Sequence, residues 1–148
     1  MKKSIQISPE LSVGSQPDEE DLKQIATVGT KSIVNLRTED EEDQDLSPSE
    51  EGFALAKLGM TYRHIPVPPD DLSPALVDRF RAELAELPTP TLVHCASGKR
   101  AGAFVMMHLA VENGWSADEA LERAKETGFE CDQPELKEFF KSYVNSHC

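Results

Sequence analysis

Apolar residues along the 148-residue chain fall in short bursts of two different periods, and the alternation between them predicts strands and helices in turn. Ile5 and Ile7, then Leu11 and Val13, alternate with polar residues before Gly14, the period-two pattern of an edge hairpin. Pro17 and Asp18, followed by Glu19 and Glu20, mark a helix start; Leu22, Ile25, Ala26 and Val28 keep helical spacing and Gly29 stops it. Positions 32–36 then form a short buried strand. Pro48 opens a second helix carrying Phe53, Leu55, Ala56 and Leu58 up to Gly59, and 62–67 is a second strand, which Pro66, Pro68 and Pro69 turn into a loop bearing Asp70 and Asp71. Ser73 is the expected N-cap and Pro74 the first residue of a helix running through Leu84. Thr91 to His94 is a third apolar strand. The helix after it places Ala103, Phe104, Met107, Ala110 and Val111 on one face and ends at Asn113 and Gly114. Ser116 with Glu119, and Asp132 with Glu135 around Pro134, read as capping boxes that start two last helices.

Strands alternating with helices imply βα units around a mostly parallel sheet, so the expected fold is a three-layer α/β domain occupying 1–148. Such sheets hold their ligands at the carboxyl ends of the strands, which directs attention to the residues after His94. With 39% hydrophobic and 28% charged residues the chain is expected to fold rather than stay disordered. Its 27 acidic against 15 basic residues leave a formal charge of -12, which repels polyanions and argues against nucleic acid as a partner. Met1, Lys2 and Lys3 precede no apolar stretch of signal-peptide length, and the longest apolar run, 101–107, is too short to span a membrane. Cys95, Cys131 and Cys148 form neither a disulfide framework nor a zinc-type pair, and His64, His108 and His147 lack ligand spacing. A reducing, cytoplasmic setting without metal or other cofactor is the expectation. The acidic run at 39–45 reads as a solvated, self-repelling loop, with a partner-docking surface as the alternative.

The segment His94-Cys95-Ala96-Ser97-Gly98-Lys99-Arg100 assembles the parts of an anion-binding nucleophile site. A thiolate, not a thiol, attacks electrophiles, and a helix N-terminus with Lys99 and Arg100 beside Cys95 favours that charge. Gly98 lets the backbone of Ala96, Ser97, Gly98 and Lys99 curl so that successive N–H groups turn inward. Arg100 adds a planar fork of donors for an oxyanion. A nucleotide-binding P-loop does not fit, because Val93 stands where its first glycine is needed and Arg100 where its hydroxyl residue is needed.

The order of elements, together with GSQPDEEDL from Gly14, SIVNLR ending at Arg37, YRHIPV ending at Val67 and the Cys95 loop, resembles the cysteine-dependent protein tyrosine and dual-specificity phosphatases. Most similar is the phosphatase-like domain of beta-lactamase-hydrolase-like proteins. This resemblance implies a phosphoric monoester hydrolase with Cys95 as nucleophile and Arg100 as anion ligand. It places Asp70 and Asp71 on the loop where related phosphatases keep their general acid, and sets Ser15 and Gln16 near the pocket. Two departures stand out. Four residues separate Cys95 from Arg100, as in rhodanese sulfurtransferases, where those phosphatases have five; and Ala101 stands where many of them carry a hydroxyl. A sulfurtransferase carrying a persulfide on Cys95 and a non-catalytic anion-binding module therefore stay open beside the phosphatase. Asp70 and Asp71 have capping of the next helix, or plain solvation, as their alternative. Arg37, at a strand end, is expected either to bind the anion or to form an exposed salt bridge to the acidic loop, and His94 to organise the loop by hydrogen bonding. The expected substrate is a small phosphorylated or sulfur-containing molecule.

Overall fold

In the computed structural model, residues 4–41, 46–129 and 131–147 are described; positions 42–45 of the acidic run, and Cys148, lie outside them. Strand register decides where the site forms. β1 (Ser4–Gln6) runs antiparallel to β2 (Leu11–Gly14), while β5 (Thr91–His94) lies parallel between β2 and β3 (Ser32–Asn35), and β4 (Thr61–His64) closes the far edge. Gly14 pairs with His94, His94 with Asn35, and Asn35 with His64, so the four parallel strands end on one line. The chain past β4 keeps extended contact with β3, through N–H bonds from Ile65 to the Asn35 carbonyl and from Val67 to the Leu36 carbonyl, both 2.9 Å. Pro66, which lacks an N–H, ends the regular ladder earlier than 62–67 predicts.

Helices cover both faces, as expected of a parallel sheet. On one side α1 (Glu19–Thr27) and α2 (Pro48–Lys57) pack Leu22, Ile25 and Leu55 against Ile33 and Leu92. On the other, α3 (Pro74–Ala85), α4 (Lys99–Asn113), α5 (Ala117–Thr127) and α6 (Pro134–Ser146) share a core with Val13, Val34 and Val93. Adjacent strand residues thus serve opposite layers, the period-two alternation seen in the sequence. Phe80 of α3 meets Phe104 of α4 edge-on at 5.6 Å between ring centres. Burial of each such ring contributes about 1.5–3 kcal/mol.

The helix starts follow local chemistry. Asp18 caps α1 through a reciprocal box with Asp21, Ser47 does the same for α2 with Glu50, and Ser73 and Ser116 cap α3 and α5. α6 departs from expectation: its N-cap is Gln133 with no side-chain cap bond, because the Asp132 carboxylate is taken by the Lys99 ammonium instead. α4 also departs. Its first two turns are buried all round, from Arg100 to Met107, rather than along one stripe, since the helix is sandwiched between the sheet and α5 and α6.

This central position explains Gly102. A β-carbon there would lie 2.5 Å from the ring of Phe129, so the ring rests directly on the helix backbone just past the Cys95 loop. We expect Gly102→Ala to destabilise the fold by about 1–3 kcal/mol despite alanine's better helix propensity, as overpacked cores do. Urea unfolding should show a lower midpoint, and adding Phe129→Leu should recover part of the loss.

Candidate active site

β5 delivers Cys95 to the line of strand ends, and two backbone bonds tie it to the neighbouring strand end. The Cys95 N–H donates to the Gly14 carbonyl at 3.3 Å, and the Gln16 N–H to the Ala96 carbonyl at 3.2 Å. Gly98 is the N-cap of α4 with φ of 96°, a left-handed conformation costly for any residue with a β-carbon. No side chain caps α4 from that position. The Cys95 sulfur takes the role instead, accepting from the Gly98 N–H at 3.2 Å and the Ala101 N–H at 3.5 Å. Two converging amide donors at a helix N-terminus suit a thiolate better than a thiol. Cys95 is buried, Ala96 and Ser97 form the exposed loop tip, and Lys99 is partly exposed beside Asp132.

Arg100, from the first turn of α4, is buried with its Nη1 donating to the Val67 carbonyl at 2.8 Å. Both terminal nitrogens grip Glu41, at 2.7 Å to Oε2 and 2.8 Å to Oε1. Burial works against the guanidinium's charge, but Glu41 and the Cys95 sulfur outweigh it and raise its pKa. Burial likewise pushes the Glu41 carboxyl up, yet bonds from Arg100, the Thr38 N–H and Arg37 prevail and hold it at about 2. Glu41 belongs to the acidic run predicted to be solvated. Only 15% of its side chain is exposed, because two arginines draw it inward.

Arg37 is 3% exposed, which corrects the exposed salt bridge allowed by the sequence. Its Nε donates to Glu41 Oε1 at 3.2 Å and its Nη1 to Gln16 Oε1 at 3.3 Å. Gln16 Nε2 in turn donates to Glu51 Oε1 at 2.9 Å, and the His94 Nε2 meets Glu51 Oε2 at 2.6 Å. Side chains from five segments thus form one polar chain, His94–Glu51–Gln16–Arg37–Glu41–Arg100, joining the two ends of the Cys95 loop. The sequence reading missed Glu41 and Glu51. Glu51 left a signal, an acid on the face of α2 that otherwise buries Pro48 and Leu55; Glu41 left none, being one acid among many.

Asp70 and Asp71 are exposed on a turn closed by the Asp71 N–H to the Pro68 carbonyl at 3.2 Å. They do not cap α3; Ser73 does. Pro69 and Leu72, which flank them, line a cavity of about 320 Å³ with Arg100, Pro134 and Leu136. A second cavity of about 280 Å³ borders Ser97, Gly98 and Lys99 on the other side of the loop. Larger clefts, such as one of about 590 Å³ between α1 and α2, lie away from it. Among the described residues, no group of three or more His, Cys, Asp and Glu is placed to hold a metal ion, and no helix is long and apolar enough to cross a membrane.

Compared with known proteins, residues 5–125 match the family described as beta-lactamase hydrolase-like protein, phosphatase-like domain. The chain belongs to this family. A beta-lactamase hydrolase-like protein of Agrobacterium fabrum is 28% identical over 86% of this chain, which spans only 30% of that protein's length. Among solved structures, a candidate phosphatase from Neisseria meningitidis superimposes with a TM-score of 0.80 at 26% identity, covering 94% of this chain and 96% of that one. Tk-PTP in its active form gives 0.81 at 21% identity with 97% of each chain covered, a likeness of fold. Both neighbours have the phosphatase fold expected from the Cys95 loop and its surroundings, so the phosphatase-like α/β architecture stands.

Two outcomes follow from this geometry. At neutral pH iodoacetate should modify Cys95 well before Cys131, whose thiol burial pushes up, even though Cys95 is the less exposed of the two. Peptide mapping of a time course checks this, and equal slow labelling contradicts it. The second concerns acid. A Glu41 carboxyl held at about 2, below its ordinary 4.5, contributes stability that is complete above pH 4.5 and lost as pH falls toward 2. The stability gap between wild type and Glu41→Gln, measured by urea unfolding, should therefore shrink between pH 5 and about pH 2.5.

Proposed function

We propose that the domain is a cysteine-dependent phosphatase acting on small phosphomonoesters through a phosphocysteine intermediate. The observation that carries this reading is the convergence of the Gly98 and Ala101 amides on the Cys95 sulfur, with Arg100 beside it, in a chain of a phosphatase-like family. In the first step the Cys95 thiolate attacks phosphorus; an S–P bond forms, the ester P–O bond breaks, and an aspartic acid on the Asp70–Asp71 turn gives its proton to the departing oxygen. In the second, water attacks phosphorus, its proton passes to that aspartate, the S–P bond breaks, and inorganic phosphate leaves. The loop amides and Arg100 stabilise the charge on the phosphoryl oxygens throughout. Arg37 holds Glu41, and through it Arg100, at the edge of the oxyanion site. The cavity lined by Pro69, Leu72, Pro134 and Leu136 suits the organic part of a small ester, and the charge of -12 disfavours polyanionic substrates.

One observation favours a second reading. The loop has four residues between Cys95 and Arg100, a ring of amides one residue smaller than in the phosphatases it resembles, and a smaller ring suits a terminal sulfur. The experiment offers purified protein an aryl phosphate and, separately, thiosulfate with cyanide. Cys95-dependent phosphate release without thiocyanate is the expected result. A gain of one sulfur atom on the Cys95 peptide with no phosphate release overturns it in favour of sulfur transfer. With an alkyl phosphate, Asp70→Asn or Asp71→Asn should lower turnover about 10²–10⁴-fold, and less with an aryl phosphate whose leaving group needs little protonation.

A further inference from the structure

Of the apolar residues that helical spacing groups along α2, Phe53, Leu55, Ala56 and Leu58, only Leu55 enters the core. Phe53 stands 66% exposed, the one Phe, Tyr or Trp ring among the described residues that faces mostly solvent, and Leu58 is 38% exposed. A single apolar side chain at a surface needs no explanation. Here the ring stands at a cleft of about 590 Å³ between α1 and α2, lined also by the buried Leu22 and Leu46 and by Ala54 and Leu58. The charges around the ring are ordered. Glu50 precedes Phe53 by three residues and Lys57 follows it by four, so acid, ring and base share one exposed stripe of α2. Across the cleft α1 repeats the order, with Glu19 four residues before Lys23. Lys57 has no ion-pair partner among the described residues, and its Nζ lies 4.4 Å from the centre of the Phe53 ring. Glu50 gives Oε1 to the Ser47 N–H at 2.9 Å and has a second oxygen to offer.

We infer that this face joins two copies of the chain in an isologous dimer, with the two α2 helices antiparallel about a two-fold axis that passes between Phe53 and Ala54. Self-complementarity is what selects a second copy as the occupant. In that arrangement Glu50 of each copy meets Lys57 of the other, and Phe53 of each meets Ala54 of the other, whose small side chain leaves room for the ring to enter the cleft. The dipoles of the paired helices run in opposite directions, which favours the same alignment. A chain of charge -12 repels its own copy over most approaches, whereas on this face acid lies against base. None of the residues lining the two cavities beside the Cys95 loop belongs to the face, so the pairing is independent of the chemistry proposed at Cys95.

The test is sedimentation of the full chain over about 1–100 µM, the range in which a small interface of mixed polarity associates. The average mass should rise from 16.4 kDa toward twice that value, and Phe53→Asp, which sets a charge at the axis, should weaken association about thirtyfold or more. Glu50→Lys and Lys57→Glu each bring like charges face to face and should each weaken it about tenfold alone. Mixed in equal amounts the two should recover it, because every charged contact across the axis is then an opposite pair. Circular dichroism checks that each variant is folded. Should Glu50→Lys fail to fold for want of its bond to Ser47, Phe53→Asp and Lys57→Glu, which touch no cap, carry the test. A wild type that stays at monomer mass at the highest concentration leaves the face to a different partner and overturns the inference. So does a dimer that Phe53→Asp leaves intact, since it joins by another face, and so does a mixture of the charge variants that associates no better than either alone.

Discussion

Two amide groups at the head of α4 find their partner in a sulfur atom, and that single arrangement requires a strand, a turn and a helix to arrive in order. The first N–H groups of any helix lack intrahelical acceptors and must be satisfied from outside. Serine or aspartate does this for α1, α2, α3 and α5. At α4 the left-handed Gly98 presents no side chain, and the donors point at Cys95. A structural need, capping a buried helix, and the presentation of the Cys95 sulfur at the line of strand ends are met by the same atoms.

The rest of the site keeps this arrangement in place. Arg37, Glu51, His94 and Arg100 are all buried, and charges are costly there unless each is paired. They are paired with one another through Gln16 and Glu41, which makes the polar chain beneath the loop interdependent: loosening one member leaves the next without its partner. Breaking a buried pair of this kind costs about 3–5 kcal/mol, a large share of the stability of a domain this size. The strand register makes the chain possible, because Gly14, His94 and Asn35 end level with one another and so bring Gln16, Cys95 and Arg37 to one edge.

Much of this was legible in the sequence, and what was not has a physical reason. The strand–helix alternation, the helix start at Asp18, the caps at Ser73 and Ser116, and the Cys95 loop are local features, written within a few residues of one another. Asp132 failed as a cap because a lysine far away in sequence competes for its carboxylate, and no local pattern records that competition. α4 read as one-sided because period alone cannot tell that helices will cover its outer face. Glu41 and Glu51 escaped for different reasons. The first is hidden in a run of acids of which it alone among those described meets both arginines; the second is an acid in a core stripe, visible as an anomaly but silent about a partner 43 residues away.

The Glu41–Arg100 bridge, with side chains only 15% and 10% exposed, also divides the response of the protein to ionic strength. Mobile ions screen charges in water over roughly 8–10 Å at physiological salt but barely enter a pair of this kind. The surface field of a chain with charge -12 opposes every approaching anion, so added salt speeds encounter with an anion of any kind while leaving the grip on the guanidinium intact. Approach of an anion and alignment of the guanidinium are thus governed separately, one by the solvent and the other by the fold.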